Sequence, residues 1–182
     1  MLRRPERGEC EEYYFLYIDQ APDGEILTAL AGQAGQVACL FESLPPDRQT
    51  FRYAPEKWSS REILGHLVDV ERVFSFRALA FARRDPAPLP AMEQDDYAQA
   101  ARYAERPMEA IAAEYRAARS ATLALFHSFD EEEWARTGVA SGFRFTVRTF
   151  PYILAGHERH HCRLLCDRYL EGRDGVALPP WL

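Results

Sequence analysis

The chain has 182 residues, 47% of them hydrophobic, which suits one domain with a full core. Its 22 Lys and Arg against 28 Asp and Glu leave a net charge of −6, so there is no general pull toward nucleic-acid phosphates or anionic lipid. No apolar run approaches the ~20 residues that span a bilayer, and the N-terminus lacks the apolar stretch of a secretory signal, so a cytoplasmic protein without a membrane partner is expected.

Residues 1–22 read as an N-terminal extension that packs on the domain through the aromatic patch "YYFLYI". A bundle domain is expected over 23–172 and a C-terminal tail over 173–182. Asp23, in Pro22-Asp23-Gly24, is placed to cap a first helix. Its apolar face is Leu27, Leu30, Ala34, Val37, Phe41 and Leu44, and Pro45-Pro46 stops it. The second helix opens on a capping box, Ser59 with Glu62, flanked by Trp58 and Ile63 at staple positions. Its stripe is Ile63, Leu67, Val70, Phe74, Ala78 and Phe81, and a proline-rich loop, "DPAPLPAMEQDDY", follows.

Pro107 suits the first turn of a third helix with the stripe Ile111, Tyr115, Ala118, Thr122, Leu125 and Phe129. "TGVASGFRFTV" has the glycine-bounded runs of a small β-hairpin. Thr146 is placed to cap a fourth helix running to about Glu171, with Gly172 as its stop. Four amphipathic stripes predict an all-α four-helix bundle with a small hairpin before the last helix. The link after Leu44 and the long loop over 84–106 argue against a plain up-down arrangement.

The fourth helix carries "AGHERHHCRLLC". At about 100° per residue, Phe150, Ile153, His161 and Leu164 all lie within roughly 40° of His157. His157 and His161 therefore sit one turn apart in the apolar stripe, with His160 at its margin. His66 faces inward from the second helix, whereas His127 falls on a solvated face. A lone core histidine is usually structural. Three inward imidazoles offer lone pairs to one place, and a divalent cation satisfies them together. Zn²⁺ takes His nitrogens at about 2.0–2.1 Å, and three protein ligands leave a position open for water or substrate.

"KWSSREILGHLVDVERVFSFRALAFARRD" and "TVRTFPYILAGHERHH" resemble the DinB-like superfamily, which includes bacillithiol transferases and is related to mycothiol-dependent maleylpyruvate isomerases. The resemblance runs from about Tyr13 to Tyr169. It implies a four-helix bundle in which His66, His157 and His161 bind a divalent metal, Zn or Ni among others. It further implies either transfer of a low-molecular-weight thiol to an electrophile or metal-dependent hydrolysis of a small molecule. A non-catalytic metal or small-ligand binding protein, stress-related and a homodimer through its outer faces, is the alternative.

Other side chains keep two readings. Asp69 could accept from the far N–H of His66, or pair with Arg72 or Arg61. His160 could carry protons at the pocket mouth, or serve the surface. Arg77 could meet an anionic substrate, or form a salt bridge. Glu158 is expected in solvent, Cys162 and Cys166 as small core residues, and "MEQDDY" as a lid or a solvated loop.

Overall fold

The structure, a computed structural model, describes residues 2–170 and 176–182. The expected run to Glu171 and the stop at Gly172 lie outside the described residues. After a 3₁₀ turn at Glu12–Tyr14 come α1 (Phe15–Ile18), α2 (Ile26–Glu42), α3 (Pro46–Gln49), α4 (Ser60–Ala82) and α5 (Gln94–Ala100). A second 3₁₀ turn at Tyr103–Glu105 precedes α6 (Met108–His127) and α7 (Glu131–Ala135). The hairpin β1 (Thr137–Ala140) and β2 (Phe143–Thr146) leads into α8 (Thr149–Tyr169). No helix among the described residues is long and apolar enough to cross a membrane.

Local chemistry set most of these starts, with two corrections. Gly24, at φ +93°, turns the chain after Asp23. The cap of α2 is therefore Glu25, whose carboxylate accepts from Thr28 N at 2.8 Å. Thr146 does not cap α8: it pairs with Thr137 in the hairpin, and its N–H donates to Glu9 C=O. The capping box of Ser59 and Glu62 forms as expected, and Trp58 and Ile63 pack in the same part of the core. The loop over 84–106 also gains structure, since α5 begins within "MEQDDY". In the hairpin, Ser141 (φ +55°) and Gly142 (φ +80°) form a two-residue turn of the type that matches strand twist.

The long helices α2, α4, α6 and α8 form the bundle. Both α2 and α4 pack on α6 and on α8, so the order around the bundle is α2, α6, α4, α8. The core has two apolar halves. One joins the early parts of α2 and α8 to the late parts of α4 and α6, and the other joins the opposite ends. Hence α2 and α8 run one way and α4 and α6 the other, which is not a plain up-down bundle.

Between the halves lies a layer of buried polar side chains: Gln33, His66, Glu71, Arg119, His157, Glu158 and His161. The expected α6 stripe is rotated accordingly. Ala118 and Leu125 are only half-buried, while Arg119 and Phe126 are fully buried. Arg119 reaches all four helices. It pairs with Glu71 of α4 through Nε and Nη2, both at 2.8 Å, and with Glu158 of α8, and donates to Leu30 C=O of α2 at 3.1 Å.

Glu158 was expected in solvent, but it is 2% exposed. The reason is that α8 is buried on every side over its first half, residues 149–158, so it has no solvated face there. One of its covers is α1. Gly156 permits this approach, because a Cβ there would collide with the backbone carbonyl of Tyr17.

Candidate metal centre

The three inward histidines meet. His66 comes from α4, and His157 and His161 come from successive turns of α8, with 3%, 7% and 8% exposure. The Nε2 of His157 lies 3.2 Å from that of His66 and 3.0 Å from that of His161. One ligand atom from each ring lies within 4.8 Å of the others. Around them Trp58 packs on His66 at 4.6 Å between ring centroids, and Tyr17 sets its ring across His157 at 5.0 Å. That aromatic wall comes from the loop before α4 and from α1, so it is absent from the two histidine-bearing helices themselves.

Burial keeps these rings neutral. It lowers His66 to about 4, and it holds His157 and His161 well below the ordinary histidine range, with the neighbouring imidazoles adding to the effect. A neutral imidazole has one N–H and one lone pair. Nδ1 of His66 and of His161 is buried without a hydrogen-bond partner. With either tautomer, therefore, protein groups alone leave buried polar atoms unmatched. A cation taking three Nε2 lone pairs at 2.0–2.1 Å in tetrahedral geometry needs N···N separations of roughly 3.3 Å. The two spacings to His157 are close to that, and ligand atoms of His66 and His161 lie within 4.8 Å of each other, so the donor set fits such an ion.

The remaining candidates fall elsewhere. Asp69 does not accept from His66; its Oδ1 accepts from the Tyr103 hydroxyl at 2.9 Å, because the 3₁₀ turn at Tyr103–Glu105 lies against that side of α4. Arg72, its other suggested partner, pairs with Glu114, and Arg61 donates to Gln49 and to Ala104 C=O. His160 is half-buried with its ring edge against Tyr17 and His161, and it lines neither cavity described below. Cys162 and Cys166 are buried core residues, and His127 is exposed.

Two cavities flank the trio. The larger, about 720 Å³, reaches His161 and is lined by Arg52, Tyr53, Lys57, Trp58 and Tyr169. The smaller, about 280 Å³, reaches His66 and His157 and is lined by Tyr14, Tyr17, Phe74, Arg77 and Met92. Gln94, at the start of α5, borders both.

The sequence reading missed Arg119 and Glu158 beside this centre. The Tyr115 hydroxyl donates to Glu158, and burial raises the Glu158 carboxyl above its usual range against the opposing pull of Arg119. A signal was present for one of them: Tyr115, Arg119, Thr122 and Phe126 follow helical spacing, so the arginine lies on the inward stripe. No comparable signal marked Glu158.

A family model described as the DinB superfamily matches residues 29–165. Among solved structures, YfiT from Bacillus subtilis is similar to this chain. It is described as a probable metal-dependent hydrolase with an unusual four-helix bundle topology. The TM-score is 0.65 at 14% identity, covering 81% of this chain and 91% of that one, a likeness that shows the fold. No curated protein is a significant match.

Proposed function

The chain belongs to the DinB superfamily, and from that premise we propose that His66, His157 and His161 hold a divalent metal ion, Zn²⁺ or Ni²⁺, in an enzyme acting on a small molecule. The observation that carries the reading is the convergence of three buried, neutral imidazoles on one point, with Nε2 atoms 3.0 and 3.2 Å apart. The description of YfiT as a metal-dependent hydrolase points the same way. When bound, such an ion supplies Lewis acidity, which makes water or a low-molecular-weight thiol nucleophilic near neutral pH.

The chain's own residues do the rest. Burial keeps the three imidazoles unprotonated, so their lone pairs stay available well below pH 7. Trp58 and Tyr17 fix the rings of His66 and His157 by edge and face contact and keep bulk water from them. The two flanking cavities admit a small molecule to the trio from either side. With three protein ligands only, one position stays open to substrate.

The test is metal content by elemental mass spectrometry on untagged protein, beside His66→Ala, His157→Ala and His161→Ala. About one ion per chain, lost in each folded variant, is expected. An ester and amide panel, run with and without added thiol, then separates hydrolysis from thiol transfer. A wild type that takes up no metal on reconstitution, or a His66→Ala variant that keeps both metal and activity, would falsify the reading.

A further inference from the structure

Arg77 is 2% exposed, and no carboxylate pairs with it among the described residues. A guanidinium stays protonated at any physiological pH, and buried cations are ordinarily paired. Arg119 shows the ordinary case in this protein, with two carboxylates against it. Arg77 instead has neutral neighbours. Its Nη2 donates to Pro90 C=O at 2.9 Å and to Ser141 Oγ at 3.0 Å. Its guanidinium carbon lies 5.2 Å from the Phe74 ring centroid, and Tyr14 bonds it from the N-terminal segment. Glu93, on the rim of the same cavity, is exposed and makes no ion pair with it.

These contacts hold the fork in place without neutralising it. Pro90 and Ser141 occupy two of its five N–H donors and Tyr14 engages it too, which leaves donors for an anion. Ser141 reaches Arg77 because the hairpin turn adopts left-handed backbone there. Burial pushes the guanidinium down from its ordinary value, with Tyr14 and Tyr97 opposing the shift.

The position of Arg77 relates it to the histidine trio. His66, Val70, Phe74 and Arg77 follow one another at helical spacing on α4 and all line the smaller cavity. Eleven residues separate His66 from Arg77, roughly 16 Å along the helix axis. The wall between them is apolar and aromatic, with Val70, Phe74, Tyr17, Met92 and Ile153. A volume of about 280 Å³ suits a small organic molecule.

We propose that Arg77 is the binding group for a carboxylate on the substrate, and that the smaller cavity takes a monocarboxylate with an apolar or aromatic body whose other end reaches the histidines. This orientation rests on the reading of the trio as the reacting centre, whereas the pairing with Arg77 does not depend on metal.

The experiment is calorimetric titration of the full chain with hexanoate, phenylpropionate and their primary amides. It is run on wild type, Arg77→Met and Arg77→Lys, each metal-loaded and chelator-stripped. Wild type should bind an acid roughly tenfold or more tightly than its amide, with or without metal. Arg77→Met should lose that preference while binding the amide as before, and Arg77→Lys should keep part of it. A purely structural Arg77 would shift the thermal midpoint and leave the acid-to-amide ratio unchanged.

The proposal is overturned by no acid binding up to roughly 10 mM, by equal binding of acid and amide, or by a preference that survives in Arg77→Met. A preference that disappears from stripped wild type would place the carboxylate on the metal instead, and also overturns it. Failure of the metal reading shows separately, as absent metal with the acid preference intact.

Discussion

Replacing Arg119 by methionine keeps much of its volume and removes its charge from the centre of the bundle. Glu71 and Glu158, whose side chains are 1% and 3% exposed, would then face each other without a cation. Removing one partner from a buried ion pair costs about 3–5 kcal/mol. For a chain of this size that lowers the melting midpoint by roughly 6–20 °C.

The dependence on pH has a definite sign. The Glu158 carboxyl is already raised by burial, and Arg119 opposes that rise. Without Arg119 it rises further. A group whose folded value lies above its unfolded one favours the fold below the unfolded value, near 4.5, and loses that contribution as pH rises through the folded one. The deficit of Arg119→Met should therefore be largest at pH 7 and shrink toward pH 5. Urea unfolding followed by circular dichroism at both pH values measures this. Adding Glu158→Gln to Arg119→Met should recover stability at pH 7. A loss under about 1 kcal/mol, or a deficit that is constant or larger at pH 5, refutes this account of the polar layer.

Gly156→Ala should lift α1 away from α8, since the new methyl meets the Tyr17 carbonyl. A loss of about 1–3 kcal/mol is expected, together with faster amide exchange over Phe15–Ile18; unchanged exchange there would contradict the packing. Glu9 is bound by Arg148 Nε and Nη2, both at 2.6 Å. Burial raises its carboxyl, but hydrogen bonds and charge from Arg148, with a backbone bond at Glu6, outweigh that and hold it below the usual range. Glu9→Gln should cost about 1 kcal/mol at neutral pH, a difference present above the unfolded value and lost as pH falls through the folded one. A cost that persists in strong acid would exclude the ion pair as its cause. Chelation should lower the melting midpoint of wild type, and Zn²⁺ or Ni²⁺ at a hundred times the dissociation constant should restore it by adding about 2.7 kcal/mol of stability. Equal midpoints with chelator and with added metal count against a metal held by the trio.

Much of the fold and the inward facing of the histidines could be read from the chain because each depends on spacing within one helix. Ser59 and Glu62 are three residues apart wherever the helix lies, so their capping box needs no tertiary help. His157 and His161 share a face by virtue of their four-residue separation, and His66 shares one with Ile63 and Val70. The helix starts at Asp23 and Thr146 failed for the opposite reason. Gly24 turns the chain in one case, and β1 and residue Glu9 claim the backbone in the other.

The sequence by itself determined four apolar faces, a hairpin and three inward imidazoles, all consequences of helical or strand periodicity acting over short range. Only the tertiary structure decided what those faces met. Glu158 is buried because α8 is covered on all sides by elements distant in the chain, so no wheel could place it. Arg119 became the link between α2, α4 and α8 once their ends were brought level by the order α2, α6, α4, α8. Tyr17 reached His157, and Ser141 reached Arg77, across 140 and 64 residues of chain. A charge or ring gains its partner from three-dimensional proximity, and periodicity along one helix says which way a side chain points but not what it will find there.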